Sequence, residues 1–263
     1  MKDIGARIPD QTRIRQSFRR GLGSYHRAAS VQAQIAARLA QLLAEAGGPR
    51  QIGSAVEFGC GTGHLTQQLA QRFDFGRLLL NDLVPEASAA LSVLPRATRA
   101  QARFAAGPIE TLSLPAQLDL VASASTVQWI ADLPELLARL ADHLAPGGWL
   151  LLSGFGRNQF HELAALGSAA AAPSYLDAAD WPAMLPAGLE IHALEQTPQV
   201  LHFDGAMALL KHLRQTGVNG HAQQGWSRRR LRDFEDRYRA RFGRAGRLPL
   251  TYDPVLLLAR KTG

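Results

Sequence analysis

Cysteine is almost absent from this sequence, and so are long apolar runs. The chain of 263 residues contains one cysteine, Cys60, and a lone cysteine forms no intrachain disulfide. No apolar stretch approaches the roughly 20 residues that a membrane-spanning helix requires. The first twenty residues carry charges without a following apolar stretch, which excludes a secretory signal. We therefore expect a cytoplasmic protein with no membrane segment.

Acidic residues are outnumbered by basic ones, but only in two segments. The net charge is +7, and residues 1–30 carry seven basic against two acidic side chains. Residues 226–247 carry nine arginines against three acidic side chains, so the rest of the chain is mildly acidic. Such segments are either solvated faces or a docking surface for an acidic partner. Zinc-finger spacing and aromatic-rich ribonucleoprotein motifs are absent, so we expect no nucleic-acid partner.

Strand-like and helix-like segments alternate along the first 155 residues. Apolar residues make up 46% of the chain, which excludes a disordered protein and suffices for one large α/β domain. Continuous apolar strands separated by helices indicate a parallel sheet covered by helices on both faces. The predicted strands are 55–58, 77–82, 102–107, 118–124 and 149–155, and the predicted helices are 28–45, 65–73, a segment after Pro85, and 133–144.

The alternation changes after residue 155. An alanine-rich helical stretch is expected at 160–172, then a polar helical region, and 252–261 is expected to form a final strand. We expect one domain over the whole chain, residues 1–263, with an N-terminal helical segment at 1–45. Insertions at 156–185 and 204–245 are expected to form a lid with that segment over the carboxyl edge of the sheet, where open α/β sheets bind ligands.

A glycine-rich turn follows the first predicted strand. Gly59, Gly61 and Gly63 alternate with other residues in the run VEFGCGTGHL. A dinucleotide-binding turn needs a small residue at its sixth position, where this sequence has His64, and a P-loop needs a following Gly-Lys-Ser/Thr. Both phosphate-binding interpretations are therefore weak, and a purely structural turn remains open. His64 is expected to begin a helix rather than to act as a base.

One acid precedes the glycines and another follows them. Glu57 stands two residues before Gly59, and Asp82 ends the second predicted strand, 19 residues after Gly63. This pattern resembles motif I of class I S-adenosylmethionine-dependent methyltransferases. The resemblance implies a Rossmann-like α/β fold with a mostly parallel seven-stranded sheet, and S-adenosylmethionine as cofactor. Glu57 is then expected to accept a hydrogen bond from the cofactor's ammonium group, and Asp82 to bind both ribose hydroxyls. The alternative for Asp82 is a helix cap before Pro85.

Segments from most of the chain resemble one family of these enzymes. The similarity lies in LDLVASASTVQWIADLPELLARLADHLAPGGWLLLSGF, in the ending GRLPLTYDPVLLLARK, and in SYHRAASVQ and LKHLRQTGVNG. These stretches are similar to the malonyl-acyl-carrier-protein O-methyltransferases of biotin synthesis. The resemblance implies methylation of the free carboxylate of a malonyl thioester, carried on acyl carrier protein or coenzyme A. A methyltransferase for a free acid such as trans-aconitate remains open, as does a non-catalytic binding protein with this fold.

Two positions depart from the family pattern. The family typically has Gly-Asp after the third strand, where the acid binds the adenine amino group, and this sequence has Gly107-Pro108. After the fourth strand the family often has Ser-Asn, and this sequence has Ser123-Ala124. We therefore expect adenine to be held by backbone groups, by packing against Ile109 or by a nearby side chain.

Further side chains receive candidate roles from the resemblance. The candidate cofactor contacts outside the motif are Tyr25, Leu83, Ile109 and Ser123, and the candidate substrate contacts are Gln128, Trp129 and Tyr252. Packing in the core is the alternative for the two tyrosines and for Gln128 and Trp129. A carboxylic acid of pKa roughly 4 is ionised at pH 7, so we expect no catalytic base, no catalytic nucleophile and no metal. Cys60 is expected to fill space.

The basic segments are expected to bind an acidic acyl carrier protein. Residues 13–27 and the three consecutive arginines Arg228, Arg229 and Arg230 are the candidates for this docking surface. We also expect a monomer, and an arginine of the lid is a further candidate to orient the malonyl carboxylate.

Overall fold

The computed structural model describes residues 19, 25, 28–168, 172, 174–216 and 227–263. Its strands are β1 (Gln51–Phe58), β2 (Asp74–Asp82), β3 (Ala102–Ala106), β4 (Leu118–Ser123), β5 (Leu144–Phe155), β6 (Leu189–Gln196), β7 (Gln199–Phe203), β8 (Leu248–Tyr252) and β9 (Pro254–Lys261). Its α-helices are α1 (Ser30–Glu45), α2 (His64–Ala70), α3 (Arg96–Ala100), α4 (Leu133–His143), α5 (His161–Ala165), α6 (Trp181–Met184), α7 (Ala206–Gln215) and α8 (Arg228–Phe242). Short 3-10 helices lie at Pro85–Val93, Ile109–Thr111, Val127–Trp129 and Ala178–Asp180.

Seven strands form the main sheet, in the order β3-β2-β1-β4-β5-β9-β6. The pairs β3–β2, β2–β1, β1–β4 and β4–β5 are parallel, and β9 is antiparallel to both β5 and β6. The mostly parallel seven-stranded sheet expected from the sequence is therefore confirmed. The strand order reverses between β1 and β4, so loops that leave their carboxyl ends diverge and open a crevice there.

Alternate residues of the central strands pack into different apolar clusters on the two faces of the sheet. In β5, Trp149 and Leu151 belong to one cluster, and Leu150 and Leu152 belong to the other. Helices α1 and α2 cover the first face, and α4 covers the second. Strands buried on both faces need apolar side chains at every position, which explains the continuous apolar runs of the sequence.

Helix α4 begins and packs as its sequence indicates. The side chain of Asp132 accepts a hydrogen bond from the backbone N–H of Glu135 at 3.0 Å, and Pro134 occupies the first turn. Leu136 and Leu140 point into the core, one turn apart. The following strand differs from the prediction, because β5 begins at Leu144 rather than at residue 149.

Three other predicted elements differ from the structure. The helix expected after Pro85 is a 3-10 helix as far as Val93, followed by the short α3. The alanine-rich helix expected at 160–172 is described only as α5, and residues 169–171 fall outside the described chain. The expected C-terminal strand is two strands, because the chain passes from the two-stranded β7–β8 sheet into the main sheet at Asp253.

A buried polar network marks this passage between the two sheets. The Asp253 carboxylate is fully buried and accepts hydrogen bonds from the Asn158 backbone N–H at 3.1 Å and from Gln196 Nε2 at 3.0 Å. The Gln159 side chain accepts from the Asp253 backbone N–H at 2.8 Å. Because these groups satisfy one another, they hold β8 and its last residue, Tyr252, in place. Among the described helices, none is both long and apolar enough to cross a membrane.

Candidate cofactor-binding site

A large cavity opens at the carboxyl ends of β1, β2 and β4, where the strand order reverses. The space between its walls, open solvent at the mouth included, is about 1170 Å³. The residues proposed from the sequence that line it are Tyr25, Glu57, Gly59, Gly61, Asp82, Leu83, Ile109 and Trp129. Most of the side chains expected to meet the cofactor are thus brought together by the fold.

The glycine turn at the end of β1 forms one wall of the cavity. Gly59 and Gly61 have φ angles of 64° and 53°, in the left-handed region that favours glycine. A Cβ on Gly59 would overlap the side chain of Thr126, so this glycine allows two loops to pack together. Gly61 lines the cavity, and a Cβ there would meet no atom beyond its chain neighbours within 4 Å, so it would project into open space. Gly63 lies behind the cavity, at the N-cap of α2.

Glu57 is a buried acid with an unused oxygen. Its side chain is only 2% exposed, and among the described residues its Oε2 has no hydrogen-bond partner. Burial raises the pKa of Glu57 to about 8, against hydrogen bonding with Thr66, which lowers it. An ammonium group in the cavity would satisfy this oxygen and stabilise its charge. The residue therefore fits the role expected for it.

Asp82, at the end of β2, is held by two backbone groups. Its Oδ2 accepts from the Gly61 N–H at 2.9 Å, and its Oδ1 accepts from the Val84 N–H at 2.8 Å. Burial raises the pKa of Asp82, and these two hydrogen bonds lower it. Asp82 does not cap the following 3-10 helix, whose N-cap is Val84 and which has no side-chain cap hydrogen bond. Each carboxylate oxygen of Asp82 has a further lone pair for a ribose hydroxyl.

The far end of the cavity is formed by the turn after β3. Gly107, Pro108 and Ile109 line it, and Ile109 is buried. The Asn81 amide holds this turn by donating to the Gly107 carbonyl at 3.0 Å. Glu110 also lines the cavity and is half-buried, although the sequence interpretation did not name it. The sequence feature that could have identified Glu110 is an acid two residues after Pro108, where the family's adenine-binding acid is missing.

Besides Gly63, three candidate cofactor or substrate residues lie outside the cavity lining. Ser123 is fully buried, and its hydroxyl donates to the Phe58 carbonyl at 2.8 Å, joining β4 to β1. Gln128 is buried and donates to the Ser125 carbonyl at 2.7 Å. Tyr252 is fully buried below the cavity, where its hydroxyl lies 2.7 Å from His212 Nε2. These contacts position the surrounding loops, and roles at the ligand stay predictions for these residues.

Two further cavity residues have the simple roles expected for them. His64 is the first residue of α2, and its ring lies 6.2 Å from that of Tyr25. Cys60 is buried, and burial raises the pKa of its thiol, so the thiol stays protonated. Within the described chain, no group of three or more acidic, histidine or cysteine side chains could hold a metal.

The basic helix α8 lies elsewhere on the surface. Ser227 caps it by accepting from the Arg230 N–H at 3.2 Å, so the three arginines 228–230 form its first turn. Their side chains are exposed, and that of Arg229 is 94% exposed. Of the other predicted docking segment, 13–27, the structure describes only Arg19 and Tyr25.

Comparison with known proteins agrees with the fold and the site. A family model for a methyltransferase domain matches residues 56–150. The putative methyltransferase of Bacillus halodurans has a TM-score of 0.63 at 15% identity, covering 86% of this chain and 99% of that one. The N-methyltransferase NodS of Bradyrhizobium japonicum, solved with S-adenosyl-L-homocysteine, has a TM-score of 0.53 at 18% identity, with 95% and 99% covered. These structures confirm the class I methyltransferase fold.

Sequence relatives are closer and span nearly the whole chain. The malonyl-[acyl-carrier protein] O-methyltransferase of Chlorobium luteolum is 36% identical over 97% of both chains. Relatives with the same name in Acinetobacter baylyi and Haemophilus influenzae are 36% and 31% identical, over 95% of this chain in each case and 96% and 95% of theirs. The family expected from the sequence is confirmed: the chain belongs to the malonyl-[acyl-carrier protein] O-methyltransferases.

Proposed function

We propose that this protein transfers a methyl group from S-adenosylmethionine to the free carboxylate of malonyl-acyl carrier protein. The observation that carries the proposal is similarity to relatives of that activity along 97% of the chain, well beyond the shared cofactor motif. The product is a methyl ester, in which the charge of the carboxylate is masked. This reaction is an early step of biotin synthesis, in which the esterified chain enters fatty-acid elongation.

The residues of the cavity suit this cofactor. When bound, S-adenosylmethionine supplies a methyl group on a positively charged sulfur. Glu57 would accept from its ammonium group, Asp82 would hold its ribose, and Ile109 would pack against its adenine. Gly61 leaves space for its methionine part, because no Cβ projects into the cavity there. Together these residues would hold the cofactor in the cavity that Trp129 also lines.

The chemistry needs positioning more than proton transfer. A malonyl carboxylate is already ionised at pH 7, so it attacks without a general base. Rate enhancement then comes from holding the carboxylate in line with the methyl carbon and from excluding water. Trp129 and Ile130 line the cavity beside the expected methyl position and provide an apolar wall. The protonated Cys60 thiol is not suited to act as a nucleophile.

We propose that segments 1–45, 156–185 and 204–245 act as a lid. Supporting contacts come from Ser174, whose N–H donates to the Gln128 carbonyl at 3.1 Å and whose hydroxyl donates to the Ile130 carbonyl at 3.3 Å. The first insertion, 156–185, is thus packed on the turn beside the cavity. Residues 169–171, 173 and 217–226 of these insertions lie outside the described chain.

The arginines at the start of α8 are proposed to dock the acyl carrier protein. Acyl carrier proteins are acidic, and an exposed basic turn would attract them and speed their encounter with the enzyme. A monomer remains the expected state for this protein.

A substrate panel tests the proposed function. The purified protein is given S-adenosylmethionine with malonyl-acyl carrier protein, malonyl-coenzyme A or free trans-aconitate, and methyl ester formation is measured. The proposal expects the highest kcat/KM for the carrier-bound malonyl group. Preference for trans-aconitate would support the free-acid alternative, and cofactor binding without turnover of any substrate would support the non-catalytic one. Growth without biotin in a strain that lacks its own methyltransferase is the matching test in cells.

A further inference from the structure

A second buried oxygen faces the cavity from helix α1. Gln32 lines the cavity, and its side chain is only 6% exposed. Among the described residues, its Oε1 has no hydrogen-bond partner. A buried amide oxygen without a partner costs about 1 to 3 kcal/mol, so a ligand donor at this position would be strongly favoured. Among the described residues that line the cavity, Glu57 Oε2 and the Ser125 hydroxyl oxygen are likewise buried without a partner.

The two oxygens belong to the same end of the cavity. Helix α1, which carries Gln32, packs against α2, and Glu57 contacts Thr66 of that same helix. The ring of Tyr25 lies 6.2 Å from His64 at the start of α2. Gln32 and Glu57 thus line the same cavity as Gly59 and Gly61 of the glycine turn.

Contacts on the other side of Gln32 orient its amide. Burial raises the pKa of Tyr252, and side-chain hydrogen bonds with Thr216 and Gln32 oppose that shift. Because Gln32 Oε1 has no partner, the amide nitrogen makes this contact and the amide oxygen is left for a ligand. Tyr252 in turn lies 2.7 Å from His212 Nε2. Burial lowers the pKa of His212, and a neutral imidazole can accept the phenol proton at that nitrogen.

The group that meets Gln32 Oε1 must carry a donor. An acceptor oxygen repels a malonyl carboxylate, which has no N–H or O–H at pH 7. The cofactor's ammonium group has three N–H donors, of which Glu57 Oε2 takes one. We propose that Gln32 is a cofactor-binding residue that accepts a hydrogen bond from this ammonium group. Tyr252 and His212 are then positioning residues, which act on the cofactor only through the orientation of the Gln32 amide.

Binding measurements without substrate test the first part of the proposal. Gln32→Leu removes the oxygen, and Gln32→Met does so while keeping the unbranched length of the side chain. Affinities are measured by calorimetry for S-adenosylhomocysteine and for 5′-methylthioadenosine, which lacks the amino-acid part. Since a hydrogen bond to a charged group is lost, both variants should bind S-adenosylhomocysteine about tenfold to hundredfold more weakly. Their affinity for 5′-methylthioadenosine should not change.

The matched control is Gln41→Leu on the exposed face of the same helix, where the glutamine donates to Glu45 at 2.7 Å. It should bind both ligands as the parent protein does. An unchanged affinity of folded Gln32→Leu or Gln32→Met for S-adenosylhomocysteine would overturn the proposal, and so would an equal loss for both ligands. Because no substrate is used, these results do not depend on malonyl-acyl carrier protein being the true substrate.

A double-mutant cycle tests the positioning role of Tyr252. Tyr252→Phe keeps the ring that packs against Phe155 and Phe160 but removes the hydroxyl that holds the Gln32 amide. Alone it should weaken S-adenosylhomocysteine binding severalfold, with 5′-methylthioadenosine unaffected. Added to Gln32→Leu it should cause no further loss, because the oriented oxygen is already missing. Independent losses that multiply in the double variant would refute the positioning role.

Discussion

Raising the pH from 6 to 8 should strengthen cofactor binding, because Glu57 must be ionised to pair with an ammonium group. Burial raises the pKa of this carboxyl to about 8, so at pH 7 it is charged in only about one molecule in ten. The measured affinity is the affinity of the ionised form multiplied by its fraction. Because the pKa is raised, Glu57 is mostly protonated in the free protein below pH 8. The affinity for the cofactor therefore increases as the pH approaches 8 and Glu57 becomes ionised. The Kd should fall about tenfold from pH 6 to 7 and only about twofold from pH 8 to 9.

Calorimetry with S-adenosylhomocysteine measures both the Kd and the protons released. Titrations at pH 7 in two buffers with different ionisation enthalpies should show close to one proton released per ligand bound. The control is Glu57→Gln, which resembles the protonated form and should fold normally, bind more weakly and show little release. The control is needed because burial also raises the pKa of Asp82. A flat Kd between pH 6 and 8 in the parent protein, or an equal slope in Glu57→Gln, would refute the reasoning.

Three further changes separate the contributions of particular residues. Gly61→Ala adds a Cβ that has space within the protein but would crowd a bound ligand. The melting temperature should therefore fall by only about 2 to 8 °C, while the affinity for S-adenosylhomocysteine falls at least about tenfold. An unchanged affinity would contradict this. Reversing the charges of the arginines that begin α8 should raise the KM for malonyl-acyl carrier protein about tenfold and leave malonyl-coenzyme A unaffected, whereas equal effects on both would exclude a docking role. Glu110→Ala should weaken the binding of S-adenosylhomocysteine more than the binding of its inosine analogue, because only adenine has an amino group from which the carboxylate can accept. An unchanged ratio of the two affinities would count against a role for Glu110.

The parts of the fold that local pattern determines were predictable. Continuous apolar runs identified the central strands because each is buried on both faces, and Asp132 and Pro134 marked the start of α4 through backbone hydrogen bonding and geometry. The division of the C-terminal run at Asp253 was not predictable in this way. Its cause is a buried network with Asn158 and Gln196, which lie 95 and 57 residues away along the chain.

The site was predictable where backbone geometry demands a residue type. The glycines stand out because few other residue types adopt positive φ angles. The two acids at the ends of β1 and β2 stand out because few residue types can bind a cationic ligand in a buried site. Gln32 was missed, although its position carried a signal. It is a polar residue between Val31 and Ile35 on the buried face of α1, where an uncharged glutamine needs a reason to be present. Its surroundings are the cavity and Tyr252, and no local pattern relates either of them to Gln32.

The adenine end of the cavity shows how a structure can narrow alternatives that a sequence leaves open. Pro108 has no side-chain acceptor, so backbone carbonyls, Ile109 packing and a neighbouring side chain were equally available explanations. The Gly107 carbonyl already accepts from the Asn81 amide at 3.0 Å, and the Pro108 carbonyl accepts from the backbone two residues beyond Ile109 at 3.3 Å. The Ile109 carbonyl accepts from an arginine of α4 at 2.8 Å. These carbonyls each accept a hydrogen bond already and Ile109 is purely apolar, so the Glu110 carboxylate is the side-chain acceptor that this turn offers to an adenine amino group.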